Sequence, residues 1–226
     1  MAPHPASSSR NGRRPHGGGR GSFLAAAVRS PRDVGTLLPS GPELARRLAA
    51  VVPRTSSAER PTVIVELGAG DGAVTGAIAD RAGPGAVVIA VEKDPELAER
   101  LRDRALGVRV VTADAAVLPA ILAGYGLSRA DVIVSMLPWT LLRHQQQRDY
   151  LATFSAVLDV DGVFTAAAYS SGYWTPSARR FRGALGATFG EVLPTRTMWR
   201  HVPPAMTYVC RRPVRPQESV NGDRSR

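Results

Sequence analysis

Apolar positions along the chain follow two alternating rhythms. Short β-branched runs, the mark of strands buried on both faces, recur at 62–65, 86–92, 108–112, 131–136 and 163–169. Between them apolar residues return at helical spacing over 73–82, 95–106, about 115–123 and 143–158. This alternation predicts right-handed crossovers and a doubly wound, mostly parallel α/β sheet. A helix at 177–187 and strands at 191–199 and 205–211 complete a seven-stranded count. Only residues 200–204 join the last two strands, too few for a crossover, so an antiparallel C-terminal hairpin is predicted. Asp161-Gly162 is expected to be a turn before the fifth strand.

Two further segments precede the first strand. Residues 22–30 can form a short helix with Phe23, Leu24, Ala27 and Val28 along one side, ended by Pro31. At 39–43 the run P-S-G-P-E predicts a second helix start, with Ser40 as cap, Glu43 completing a capping box and Pro42 in the first turn. Leu44, Leu48, Val51 and Val52 recur at helical spacing over 43–52, and 54–60 is a polar loop.

Charge changes the picture less than its size suggests. The formal net charge of +10 invites a nucleic-acid reading. Residues 1–20, however, hold four arginines and no acid, and 211–226 hold five arginines against Glu218 and Asp223. Most of the excess therefore sits in two polar ends, 1–21 and 211–226, flanking one domain at 22–210. Such ends attract phosphates or anionic lipid surfaces, or are simply solvated and disordered. Cys210 is the one cysteine, so no intramolecular disulfide forms, which fits a reducing compartment. No apolar run reaches membrane-spanning length, and 23–28 is too short for a secretory signal before Arg29 interrupts it. A cytoplasmic location is expected, with peripheral contact at the inner face of the membrane as the further expectation.

The chemistry concentrates in E-L-G-A-G-D-G at 66–72, directly after the first strand and before a helix. Glycines there let the backbone turn tightly and a ligand approach the main chain. Glu92, about twenty residues on at the end of the second strand, can accept both hydroxyls of a ribose. A dinucleotide pattern, G-x-G-x-x-G/A, is formally met with Ala73. The glycines nevertheless alternate at 68, 70 and 72, and Glu66 stands two residues before the first. Asp71 near the helix N-terminus would repel a pyrophosphate but not a cofactor lacking one.

The run E-x-G-x-G-x-G resembles motif I of the class I methyltransferases, Rossmann-like enzymes using S-adenosyl-L-methionine (SAM). The resemblance covers about 35–210. It implies that Glu66, Gly68, Ala69, Gly70 and Gly72 hold the methionine half of the cofactor. It also implies that Glu92 and Lys93 hold the ribose and that Asp114 and Ala115 contact the adenine. Ser135 and Leu137, in S-M-L-P-W at the end of the fourth strand, would face the reacting end. No metal ligand set is expected.

Two branches of the superfamily compete. The rRNA adenine dimethylases read N-L-P-Y at the fourth motif, and aligning the shared Leu-Pro puts Met136, a weak acceptor, where their asparagine stands. They also carry a helical lobe after the sheet, for which this chain has too few residues. Nucleic acid is therefore not the expected partner. The bacterial phospholipid N-methyltransferases resemble this chain at both ends. The matching segments are 23–40, which resembles their opening helix and P-S turn and so implies closure over the cofactor through Pro39 and Ser40; S-x-L-P at 135–138; and W-R-H-V-P-P-A at 199–205, with His201 where asparagine is usual. The resemblance implies methyl transfer to a phospholipid head-group amine of the phosphatidylethanolamine type. Another small amine acceptor is the rival reading, and a non-catalytic membrane- or partner-binding protein of the same fold the remote one. Weak contact with an anionic membrane would come through 22–30.

The acceptor amine must lose a proton before it attacks. Tyr169, Tyr173 and His201 are the candidate groups. Trp139, Tyr173 and Trp174 either surround an ammonium by cation–π contact or pack as ordinary large aromatics. Arg200 either holds a lipid phosphate or makes a surface ion pair.

Overall fold

The structure, a computed structural model, describes residues 41–54, 60–104 and 106–214. The helix expected at 22–30, Pro39, Ser40, the 1–21 end and most of the 211–226 end lie outside the described residues. The strands are β1 Val63–Leu67, β2 Val87–Glu92, β3 Arg109–Thr112, β4 Ala130–Ser135, β5 Leu158–Tyr169, β6 Phe189–Pro194 and β7 Ala205–Pro213. The helices are α1 Pro42–Ala49, α2 Ala73–Arg81, α3 Pro95–Asp103, α4 Leu118–Gly124, α5 His144–Val157 and α6 Pro176–Thr188.

One seven-stranded sheet results, in the order β3-β2-β1-β4-β5-β7-β6. β1 to β5 are parallel, and β7 runs antiparallel between β5 and β6. The predicted hairpin is thus present, but its second strand is inserted beside β5. The chain order reverses between β1 and β4, which opens a crevice at their carboxyl ends. β1 is buried along its whole length, as its unbroken V-I-V-E-L run demands.

Side chains alternate between the two faces of the sheet. Val65, Ile89, Ile133 and Phe164 join Leu122 of α4, Phe154 of α5 and Phe181 of α6 in the main core. Ala90, on the alternate face, packs with Leu101 of α3 and Ala69. Phe154 and Phe164 are fully buried; truncating either to Ala would destabilise the fold by about 3–5 kcal/mol.

Several predicted boundaries shift, each for a local reason. Gly41, not Ser40, is the N-cap of α1, with no side-chain cap bond, so the expected capping box is absent and Glu43 instead faces Arg47 at 3.9 Å. The helix expected at 115–123 begins as a 3-10 turn, Ala115–Val117, before α4 takes over at the Leu118-Pro119 step. β5 starts directly from the end of α5. The expected turn at Asp161-Gly162 lies inside an irregularity, because Ala130 pairs with Leu158 while Val132 pairs with Val163. β6 is shorter than expected: regular pairing ends at Pro194, which lacks an N–H, although the Thr195 N–H still donates to Thr207 O at 2.8 Å and Met198 bridges to Ala205. β7 extends into the expected C-terminal tail, up to Pro213.

Candidate active site

The β1–α2 loop is built by glycine conformations. Gly68, Gly70 and Gly72 have φ of 76°, 55° and 80°, a region that L-residues avoid. The Gly68 and Ala69 N–H groups donate to Val91 O at 2.8 and 3.2 Å, tying the loop to β2. Among the described residues, a Cβ at Gly70 would meet no atom within 4 Å, so this side of the loop is open to them. A Cβ at Gly72 would collide with Leu101 of α3. Gly72, expected to contact a cofactor, therefore serves the turn and the packing of α2 on α3.

Glu92 anchors this loop. Its Oε2 accepts the Gly70 N–H at 2.8 Å and its Oε1 the Asp94 N–H at 2.9 Å. Each carboxylate oxygen keeps a further acceptor lone pair. Glu66 is completely buried beneath the same loop. Thr75 Oγ1 donates to its Oε2 at 2.6 Å, whereas its Oε1 is buried with no partner among the described residues. Burial pushes the Glu66 carboxyl up to about 8, against the pull of Thr75 and with a further push from Glu92 and Asp71. A buried, half-satisfied carboxyl is suited to meet a cation.

At the end of β3, Asp114 collects three donors. Its Oδ1 accepts from the Ala116 N–H at 2.9 Å and the Tyr150 hydroxyl at 2.8 Å, and its Oδ2 accepts from Lys93 Nζ at 3.0 Å. Partial burial would raise this carboxyl, but the Ala116, Lys93 and Tyr150 donors outweigh it and hold it below its ordinary value. Burial and the bond to Asp114 push the Tyr150 phenol up to about 12. Lys93 is otherwise exposed, so the structure shows it steadying Asp114. Sequence reading missed Tyr150: it stands 36 positions from Asp114, on α5, and nothing local marks it.

On the β4 side, Leu137 lies against Gly68, with its Cδ2 3.4 Å from where a Cβ would stand. Ser135 is fully buried, its Oγ accepting from the Trp139 indole at 3.1 Å and the Leu137 N–H at 3.4 Å. It shapes the turn. Trp139 is a correction to the cation–π expectation. Its ring is buried, stacked on Phe181 at 4.5 Å and edge-on to Tyr150, Phe154 and Phe164. Its carbonyl takes a 2.6 Å bond from Gln147. Trp139 therefore belongs to the core and offers no face to an ammonium.

His201 is a second correction. Its Nδ1–H donates to Pro203 O at 2.6 Å and its Nε2 accepts the Gly41 N–H at 3.4 Å. With the Nε2 lone pair occupied, the ring ties the β6–β7 loop to the start of α1 and is not placed as a base. Tyr169, 6.0 Å away between ring centres, has its hydroxyl buried with no partner among the described residues. Burial raises that phenol, so it stays protonated at neutral pH. Tyr173 lies under the Arg182 guanidinium at 4.1 Å, a cation from its own chain. Trp174 and Arg200 are exposed.

A family model described as a methyltransferase domain matches residues 64–162. An ornithine lipid N-methyltransferase from Singulisphaera acidiphila is 33% identical over 192 residues, covering 84% of this chain and 94% of that one. The chain is a class I SAM-dependent methyltransferase. Among solved structures, TrmN from Thermus thermophilus matches with a TM-score of 0.60 at 22% identity, over 84% of this chain and 52% of that one. The methyltransferase thus spans about half the length of TrmN. A TehB-like SAM-dependent methyltransferase from Corynebacterium glutamicum gives a TM-score of 0.53 at 17% identity, over 85% and 99% of the two chains. These likenesses concern the fold. The methyltransferase's own residues fit the cofactor: a carboxyl oxygen on Glu66 with no partner among the described residues suits an ammonium, and Glu92, which holds the Gly70 N–H through Oε2, keeps acceptor capacity for hydroxyls. No helix among the described residues is long and apolar enough to cross a membrane.

Proposed function

We propose that this methyltransferase N-methylates an amine on a membrane-lipid head group. The observation that carries the reading is the likeness to the ornithine lipid enzyme along nearly that protein's full length. The resemblance to phospholipid N-methyltransferases at 135–138 and 199–205 supports it from the residues. Phosphatidylethanolamine and an ornithine head group share one chemistry: an amine beside an anionic phosphate or carboxylate. Arg200, exposed at the acceptor end, suits either anion through its planar fork.

The same proposal assigns the cofactor side. Glu66 and the open edge at Gly70 take the ammonium end, Glu92 the ribose hydroxyls, and Asp114 with the Ala115 backbone the adenine. Leu137 lines the reacting end, while Gly72, Ser135 and Lys93 hold neighbouring groups in place. When bound, SAM supplies an electrophilic methyl on sulfur. The chain's part is mainly position and orientation. Tyr169, a protonated phenol at the end of β5, accepts a hydrogen bond from the amine and aims its lone pair. The amine must lose a proton as it is methylated, and that proton would pass to water, since His201 Nε2 already accepts the Gly41 N–H at 3.4 Å.

The test is incubation of the purified protein with methyl-labelled SAM and separate vesicles containing phosphatidylethanolamine or ornithine lipid, alongside RNA and small soluble amines. Label in mono-, di- or trimethylated head groups is expected. Label confined to a soluble amine would transfer the assignment to a small-molecule acceptor.

A further inference from the structure

We propose that three loops at the acceptor end of the sheet form a docking surface for an anionic membrane. The loops are 136–143 after β4, 170–175 after β5, and 195–204 between β6 and β7. β7 is antiparallel to β5 and Tyr169 pairs with Ala205, so the third loop lies at the carboxyl end of β5 with the other two. They are physically joined. The Ser170 N–H and hydroxyl both donate to Pro204 O, at 2.8 and 2.6 Å. Gly172 stands against the Thr140 methyl, 3.8 Å from where its Cβ would be.

These loops carry the four most exposed large apolar side chains among the described residues. Leu141 is 60% exposed, Trp174 79%, Trp199 76% and Val202 83%. Isolated exposed apolar residues are ordinary. Four on contiguous loops at one end of the sheet form a patch that needs a partner. Two are tryptophans, whose amphipathic rings favour the interface between water and lipid.

Charge selects the kind of partner. The same loops hold Arg143, Arg196 and Arg200 and no Asp or Glu. An apolar tip fringed by arginines matches a bilayer with anionic head groups, which attracts basic residues within a Debye length. These loops share no residue with the 22–30 segment. The inference rests on the lipid-acceptor reading in one respect: the face that would meet the membrane is the one where the acceptor enters, so a head group reaches the site without leaving the bilayer.

Tryptophan fluorescence of the full chain, titrated with vesicles, tests it directly. Of the three tryptophans, Trp139 is buried and Trp174 and Trp199 are exposed. Vesicles of phosphatidylcholine containing phosphatidylglycerol should shift the emission to the blue, with brominated acyl chains quenching it. Pure phosphatidylcholine and high salt should weaken both effects. Trp174→Phe with Trp199→Phe should leave a silent Trp139 signal. Replacing either rim tryptophan by Ala should lower vesicle partitioning about tenfold, the consequence of roughly 55 Å² of ring surface staying in water. Equal partitioning by the Trp174→Ala/Trp199→Ala protein and the wild type would overturn the proposal, as would an absence of vesicle binding. So would loss of self-association in that variant with vesicle binding intact, which would make the patch a contact between copies. Binding is read without turnover, so a failed lipid-acceptor assignment leaves its outcome legible.

Discussion

Replacing Glu66 by Gln removes a carboxyl while keeping its shape, and the consequence depends on pH in a calculable way. In the folded chain burial holds the Glu66 proton up to about pH 8, whereas the exposed, unfolded group releases it near its ordinary value of 4.5. Between those values the folded state binds more protons, so this residue's contribution to stability falls as pH rises. The slope is about 1.4 kcal/mol per pH unit, or about 5 kcal/mol across the whole window. Glu66→Gln does not titrate and should escape this loss. Urea unfolding of both proteins, without cofactor, at half-unit steps from pH 5 to pH 8 should give curves that diverge steadily in favour of the variant. Cofactor binding should show the reverse. An ammonium beside Oε1 favours the ionised carboxyl, so wild-type SAM affinity should rise about tenfold per pH unit from pH 6 to pH 8. Calorimetry in buffers of different ionisation enthalpy should register the released proton. Parallel stability curves for the two proteins between pH 5 and pH 8 would refute the argument, because Glu66 would then titrate alike in both states.

Four other outcomes are expected. Glu92→Ala should weaken SAM at least about a hundredfold by calorimetry, from two ribose bonds to a charged acceptor at roughly 1.5 kcal/mol or more each. Gly72→Ala should lower the unfolding free energy by about 2–4 kcal/mol, through the left-handed strain and the collision with Leu101, and a urea midpoint measures it. His201→Asn should reduce stability by about 1–2 kcal/mol yet leave the shape of the pH–rate profile unchanged; a missing limb near neutral pH would restore His201 as a base. S-adenosylhomocysteine should raise the melting temperature, and NAD and NADP should not; stabilisation by NAD alone would contradict the reading of the glycine loop.

Local patterns in the sequence determined the parallel half of the sheet and the glycine loop. β-branched runs and helical spacing act within a few residues, and a left-handed turn at Gly68–Gly72 depends on those residues' own backbone freedom. The seven-strand count and the antiparallel hairpin were legible for the same reason, as was the place of Glu92 at the end of β2. What tertiary structure alone decided involves partners far apart in the chain. β7 enters between β5 and β6 because sheet pairing answers to packing and not to sequence order. Trp139 and Trp174 look equally aromatic in sequence, yet one faces Phe181 in the core and the other solvent. His201 meets Gly41 across 160 positions, and that contact, invisible to any local pattern, occupies the lone pair that made it a candidate base. Side-chain chemistry is written in the residue, but its protonation and its partners are set by what the fold brings within hydrogen-bond distance.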